Sequence, residues 1–497
     1  MAAADRPVPG HGHVTGAGVP AALLRDFGAV VGTAHVLTGD AAAGYATDWT
    51  GGFTGRAPAV LRPRDTEQVA ALLALCAGAA VAVVPQGGNT GLVGGGVPLH
   101  GEVVLSLARL DRLGPVDAEA GQVSAGAGVS LQRVADADPR LDLGVLIASR
   151  HSASVGGAVA TNAGGLRVLR YGPMRAQLRG IEAVLSDGTV LSHMAGLVKD
   201  NTGYDYPSLL AGSEGTLAVI TAARLQLVAR LADPVTVIIG VAGPGEAHAL
   251  AQRALGGVGG LVSAEFFTEA GLDLLAGHTG LVPPLRPPTP AYLLLEAGGP
   301  GAAEELAAIA ADRPAAVGTG AAERARLWAY RERQPEAAGF VGVPLKLDVS
   351  VPAAQWVRLA SGVAEVVREV DPGALVITYG HVADGNLHVN VVPGGAAGRP
   401  AEGTHRIGSR NADSMGAALQ AGGAGVPGAA GAGGRHEDAV FSFVASLGGS
   451  ISAEHGIGAL KARWLPLVRS EAERALFARV RTAFDPAGIL NPHVLPR

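Results

Sequence analysis

Cysteine is almost missing from this chain. Cys76 is the only one among 497 residues, which excludes an intramolecular disulfide, a cysteine-ligated zinc site and a chain-borne iron–sulfur cluster, and fits a reducing compartment. Lysine is nearly as scarce: of 38 basic residues only Lys199, Lys346 and Lys461 are lysines. No basic block occurs and the formal net charge is −5, so a nucleic acid or an anionic membrane surface finds no electrostatic footprint. Charged residues make up 16% and hydrophobic residues 48%, enough to build a core and too apolar for a chain disordered throughout. Long apolar runs are lacking too. Val69 to Val84 is 16 residues without a polar side chain and stops at Pro85, short of the ~20 that a membrane span needs. Residues 1–20 carry no apolar stretch of the kind a secretory signal requires. A cytoplasmic protein without a transmembrane segment is expected.

Glycine, by contrast, is abundant: 74 residues, about twice the usual ~7%. Some of it is low complexity. Residues 393–434 cannot bury enough apolar surface to order themselves and read as a flexible insertion. The one G-x-G-x-x-G pattern, at Gly423, Gly425 and Gly428, lies inside that insertion with no strand before it, so it is not a dinucleotide fingerprint. Elsewhere short β-type runs (VAVVP, EVVLSL, GTLAVITAARLQLV) alternate with helical patches over 58–231, and a second strand–helix succession starts near Asp233. The fold class is α+β.

The remaining glycines gather in loops. Pro85 to Gly96 holds six glycines in twelve residues, with one Asn and one Thr, directly after the strand VAVV. Such a loop lets backbone N–H groups crowd a bound phosphate without Cβ clashes. Alone it could equally be a plain turn. Two more follow, Ser152–Gly165 and Ala211–Thr216, and three separated Gly/Ser/Asn/Thr loops suit a long, extended dinucleotide.

A second group of residues carries titratable chemistry. In YGHVADGNLHVNV, His381 and His388 are seven apart, which would put them on opposite faces of one straight strand. Asp384-Gly385-Asn386 is a turn signal between them, and a turn can bring both imidazoles to one locus. His388 and Asn390 then share a face. Further on, Glu454 and His455 precede Gly456-Ile457-Gly458. Two histidines and a carboxylate form a full protein ligand set for an open site on a zinc-like ion, although isolated histidines more often satisfy a hydrogen bond or sit on the surface.

PQGGNTGLVGGG, SVGGAVATNAGGLRVLRYG, LVKDNTGYDYPSLLAGSEGTLAVIT, GHVADGNLH and EHGIG together resemble the FAD-linked oxidases of the vanillyl-alcohol-oxidase/p-cresol-methylhydroxylase fold. Within them the D-2-hydroxy-acid dehydrogenases, acting on D-2-hydroxyglutarate or D-lactate, are the nearest likeness. The resemblance implies an FAD-binding domain over 45–231 after an N-terminal extension, partly disordered, over 1–44. A substrate and metal cap domain would span 232–465, and 466–497 would return to the FAD domain. Pro85, Gly87, Gly88, Asn89, Thr90, Gly91 and Val93 would cradle the FAD pyrophosphate. Ser152, Gly156, Gly157, Thr161, Asn162, Gly164 and Gly165 would line the flavin side, Gly215 would close over the adenosine end, and Asn491 would touch the cofactor from the tail. The first loop has no histidine, so FAD is expected to be noncovalent. His381, His388 and Glu454 would hold a divalent metal, zinc first; His455 would be the catalytic base; Arg331, Lys346 and Asn390 would bind the substrate. Pro335 stands where relatives offer a hydroxyl one helical turn after this arginine, which leaves selectivity for a second carboxylate open. Lys461 reads as a surface residue.

The expected reaction oxidises a D-2-hydroxy acid to the 2-keto acid, with hydride accepted by the flavin. Electrons would leave to an external acceptor (an electron-transfer flavoprotein, a quinone or a cytochrome), through which a cytoplasmic chain could also lie peripheral to a membrane, and a homodimer is left open. The alternatives are a flavin oxidase using O₂ on glycolate or a related substrate, and a non-catalytic flavin subunit of an electron-transfer complex.

Overall fold

The computed structural model describes residues 18–395 and 434–495, so the insertion expected at 393–434 lies almost wholly outside the described residues. Three sheets organise the chain. The first joins β1 (Val36–Leu37), β2 (Val60–Leu61), β3 (Val83–Gln86) and β4 (Val103–Ser106) in the order β1-β2-β4-β3. Its central strands are apolar on both faces, as strands covered on both sides must be. The helix Thr66–Gly78 is opened by Asp65, whose side chain accepts the Gln68 N–H, and buries Val69, Leu72, Leu73 and Cys76 against this sheet. Helix Ala21–Val31 adds Leu23, Phe27 and Val31 to the same core. Within the extension expected over 1–44, the described part from Ala21 to Val31 packs on the first sheet's core, where its apolar spacing finds a partner in Thr66–Gly78.

The second sheet is antiparallel: β5 (Leu113–Asp117), β6 (Gln122–Gly126), β8 (Leu178–Val184), β9 (Val190–His193) and β10 (Val219–Ala229), with β7 (Leu141–Leu143) pairing onto β10. The seven-residue helix Val155–Thr161 lies against it. The third sheet begins after residue 234 and is antiparallel throughout, in the order β14-β11-β13-β12-β16-β17-β15. Its strands are β11 (Val235–Val241), β12 (Leu261–Thr268), β13 (Ala291–Ala297), β14 (Ala315–Gly318), β15 (Leu345–Ser350), β16 (Leu375–His381) and β17 (Asn386–Val392). One face buries Phe266, Leu347, Val349, Leu387, Val389 and Val391 under the helices Pro244–Gly257 and Trp356–Val370. The other face is apolar around Ile238, Tyr292 and Leu294 and turns polar toward β15, β16 and β17. That polar half carries the site.

The C-terminal stretch closes the fold. Helix Glu471–Phe484, capped by Ser470 and Glu473, packs Val480 and Phe484 on the second core. Ile489, Leu490 and Asn491 then run beside β3, with the Val83 N–H donating to Ile489 O at 2.8 Å and the Asn491 N–H to Val83 O at 2.9 Å. No helix among the described residues is long and apolar enough to cross a membrane.

Candidate active site

Strand register brings the distant residues together. Asp384-Gly385 turns β16 into β17, which pairs Tyr379 with His388, while β12 sets Glu265 opposite His381 and β15 sets Asp348 opposite His388 and Lys346 opposite Asn390. Cross-strand partners share a face, so one sheet face presents Glu265, His381, Tyr379, His388, Asn390, Asp348 and Lys346 side by side. The turn does what its residues predicted.

The loop after Ser450 completes the group. Glu454 points its two oxygens at two imidazoles: Oε1 is 3.7 Å from His381 Nε2 and Oε2 is 3.7 Å from His388 Nε2. Glu454 Oε1 also accepts the Gly165 N–H at 2.7 Å, so the metal-type cluster touches the second glycine-rich loop. Gly165 has φ +116°, and a Cβ there would lie 2.1 Å from Leu146 O. Only glycine lets this N–H reach the carboxylate.

Each candidate histidine ligand has a carboxylate behind it, Glu265 for His381 and Asp348 for His388. His381 Nδ1 lies 2.7 Å from Glu265 Oε1, and Glu265 Oε2 accepts Arg331 Nε at 2.8 Å. Burial pushes the Glu265 carboxyl up, but His381 and Arg331 more than offset this and hold it below its usual range. Burial likewise opposes the charge on His381, yet Glu265 and Glu454 raise it to about 9. His388 goes the other way: burial and the neighbouring His381, Arg331 and His455 keep it neutral, against the pull of Asp348. A neutral imidazole is the form that binds a metal.

Arg331 is buried, 4% exposed, with its guanidinium 4.7 Å above the Tyr379 ring. Asn390 donates to Tyr379 Oη at 3.3 Å. Lys346 is open to solvent yet crowded by protein, as a residue on a cleft wall would be, and lost hydration lowers its ammonium pKa. Lys461 contradicts the surface reading. It is 2% exposed and donates to Ile451 O at 2.9 Å and Ser452 Oγ at 3.1 Å, bracing the start of the 452–458 loop.

The expected FAD loops meet here as well. Gly87 and Gly88 pack so tightly on the second loop that a Cβ would lie 2.2 Å from Ser154 Oγ and 1.9 Å from Ser152 O respectively. Among the described residues, the N–H groups of Gly87 through Val93 donate to no protein acceptor, and Gly91 faces open space. A run of free N–H groups over an open surface fits a diphosphate. Asn89 and Thr90 are held from behind: Asn89 Nδ2 donates to Thr47 O, and Thr90 O accepts Trp49 Nε1. Pro85, on β3, packs against Gly215, and Gly164 lies under Glu454.

Several of the expected cofactor residues have other duties in the structure. Gly156 is buried, its N–H donates to Ala127 O, and the Gly157 N–H donates to Ser154 Oγ. Thr161 Oγ1 donates to Gly157 O, and Asn162 Oδ1 accepts the Arg175 N–H. Asn491 spends its amide on Gly95 O and Glu214 O. The KDNTGYD stretch is exposed around Lys199, with Tyr204 at 98%.

Four site residues escaped the sequence reading: Asp348, Glu265, Tyr379 and Glu214. The Glu214 carboxylate accepts the N–H groups of Ile457 and Gly458 at 2.9 and 2.7 Å, clasping the 454–458 loop to the third glycine loop. A buried acid in an otherwise apolar strand (LVSAEFFT, LKLDVS) was the available signal for Glu265 and Asp348, since such a charge needs a partner.

A family described as FAD binding domain matches residues 57–193, and one described as FAD linked oxidases, C-terminal domain, matches 232–425 and 428–495. D-2-hydroxyglutarate dehydrogenase, mitochondrial, of Danio rerio is 35% identical over 465 residues, 90% of this chain and 80% of that protein. D-2-hydroxyglutarate dehydrogenase of Xanthomonas citri pv. viticola is 33% identical over 469 residues, 90% and 91% of the two chains. The solved 4-ethylphenol oxidase of Gulosibacter chungangensis superimposes with a TM-score of 0.69 at 17% identity, covering 96% of this chain and 97% of that one, which shows the shared fold. With an FAD-binding domain and the C-terminal domain of the FAD-linked oxidases matched along its length, this chain belongs to the FAD-linked oxidases and is an FAD-dependent oxidoreductase.

Proposed function

We propose that this oxidoreductase removes two electrons from the C2–OH of a D-2-hydroxy acid, D-2-hydroxyglutarate first and D-lactate second, giving the 2-keto acid. The observation that carries the reading is Glu454 facing His381 Nε2 and His388 Nε2 with its two oxygens while bonded to Gly165 of a glycine loop. The names of the relatives support the substrate class. When bound, noncovalent FAD supplies the hydride acceptor. His381, His388 and Glu454 would hold a divalent metal, zinc by the donor set, whose Lewis acidity makes the substrate hydroxyl easier to deprotonate.

The chain's own groups do the rest. Arg331, held by Glu265, and Lys346 bind the substrate carboxylate, and Asn390, one turn of the pleat beyond His388, orients it. His455 accepts the C2 hydroxyl proton. Gly87 to Val93 hold the cofactor's diphosphate through backbone N–H groups. Electrons then leave to an external acceptor, an electron-transfer flavoprotein, a quinone or a cytochrome, and the compartment we assign is the cytoplasm.

Anaerobic addition of D-2-hydroxyglutarate or D-lactate to the purified flavoprotein should bleach its visible absorbance. If neither these nor glycolate does so, the substrate class is wrong.

A further inference from the structure

The loop that carries Glu454 and His455 has no helix or strand of its own, and at those two residues its backbone is held by one side chain on the neighbouring strand. Asp348, fully buried on β15, accepts the N–H groups of both Glu454 and His455 with Oδ2, at 2.8 and 2.9 Å. Its Oδ1 accepts Asn386 Nδ2 at 2.8 Å, which ties the carboxylate to the β16–β17 turn. The same oxygens face two imidazoles on matching edges. Oδ2 lies 3.7 Å from His455 Nδ1, and Oδ1 lies 3.8 Å from His388 Nδ1. The two rings are themselves stacked, with centroids 5.9 Å apart and planes at 28°.

We propose that Asp348 is a positioning residue that sets His388 and His455 together. By standing at Nδ1 of both rings it keeps a proton on each Nδ1, which leaves Nε2 of each as the basic nitrogen. On His388 that nitrogen faces Glu454; on His455 it is free to take the substrate's hydroxyl proton. The neighbouring nitrogen's hydrogen bond is what selects an imidazole tautomer, and such contacts are commonly long before a site is loaded. The inference rests on the proposed roles of His388 as ligand and His455 as base.

Asp348, His388, Glu454 and His455 could also be grouped as four ligands, since one donor atom from each lies within 4.8 Å of the others. The edges of His388 argue against that grouping. Its Nε2 faces Glu454 and its Nδ1 faces Asp348, and the two nitrogens of one ring cannot turn to the same ion. His381 joins His388 and Glu454 better than Asp348 or His455 does, because its Nε2 lies on the Glu454 side and Glu265 stands behind its Nδ1.

The test uses full-length, flavin-loaded protein labelled with ¹⁵N-histidine, with each signal assigned by a single His→Gln variant. In the wild type above pH 8, His388 and His455 should both show a protonated, pyrrole-like Nδ1; an Nε2–H tautomer at either one overturns the proposal. Asp348→Asn should then lower the rate of flavin reduction by D-2-hydroxyglutarate roughly 10²–10⁴-fold, with the substrate concentration for half-maximal rate changed less than threefold. A rate within threefold of wild type also overturns it. Should the Asp348→Asn variant fail to fold, the wild-type tautomers alone decide. Failure of the underlying reading shows separately, as His455→Ala retaining the wild-type rate, and leaves the tautomer measurement untouched.

Discussion

Arg331 and His381 share one carboxylate, that of Glu265, at 2.8 and 2.7 Å. A residue proposed to bind substrate and one proposed to bind metal are thereby held by the same buried group. Replacing it with glutamine should weaken metal binding about 10–100-fold and also raise the substrate concentration needed for flavin reduction. Metal titration and reduction rates measure the two effects; if both stay within twofold, Glu265 is not their common support. His455→Ala should keep bound flavin and metal while reduction slows roughly 10²–10⁴-fold. Unchanged reduction would take His455 out of the chemistry. At this scale the sequence told half the story. His381, His388, Glu454 and His455 stood beside a turn signal and a Gly-x-Gly, but those signals left a surface reading equally open, and the resemblance of GHVADGNLH and EHGIG to the FAD-linked oxidases singled them out. Glu265 and Asp348 were not legible, since each is a lone acid in an apolar strand whose partners, His381 and Asn386, stand 116 and 38 residues further along the chain.

The glycine loops are where local sequence and tertiary contact diverge. All three were visible as composition, yet their glycines serve different ends. Gly88 is required by packing, with Ser152 O where its Cβ would go, whereas Gly91 has nothing within 4 Å. Gly88→Ala should cost about 1–3 kcal/mol in unfolding free energy of the flavin-free protein. Gly91→Ala should stay within about 0.5 kcal/mol of wild type and still retain less FAD, because its methyl group enters the space above the free N–H groups. Denaturant titration and flavin content separate the two. Equal destabilisation by both variants would mean that the loop surface at Gly91 is packing and not a cradle. The helix Ala21–Val31 shows the opposite limit: its apolar face was present in the sequence, but that it would pack on Thr66–Gly78 followed only from the assembled sheet.

Across the whole molecule, the site is a store of buried charge with a defined response to pH. The Glu265 and Asp348 carboxyls are depressed despite burial, Asp348 through His455, Lys461 and His388. A depressed carboxyl contributes stability that is present above its unfolded value, about 4, and lost as pH falls through the folded one. His381, raised to about 9, contributes stability below its unfolded value of about 6.5 and loses it as pH rises through about 9. Relative to a His381→Gln variant, the metal-free protein should therefore lose Tm between about pH 6.5 and 9, and Asp348→Asn should flatten the acid limb. Parallel Tm curves for the wild type and His381→Gln over that range would contradict this.

The α+β class was readable from alternating strand and helix patterns, and the change of sheet near residue 232 from a shift in register. The strand order of the third sheet was not, because β15 pairs with β17 and not with β16, the next strand along the chain, and only that pairing sets Asp348 beside His388.

The most direct trial of this account follows flavin absorbance in one protein before and after its metal is removed. Chelator-treated, FAD-loaded enzyme should stay yellow on anaerobic addition of D-2-hydroxyglutarate and bleach once Zn²⁺ is restored. Bleaching at the untreated rate with no metal bound would contradict the roles given to His381, His388 and Glu454.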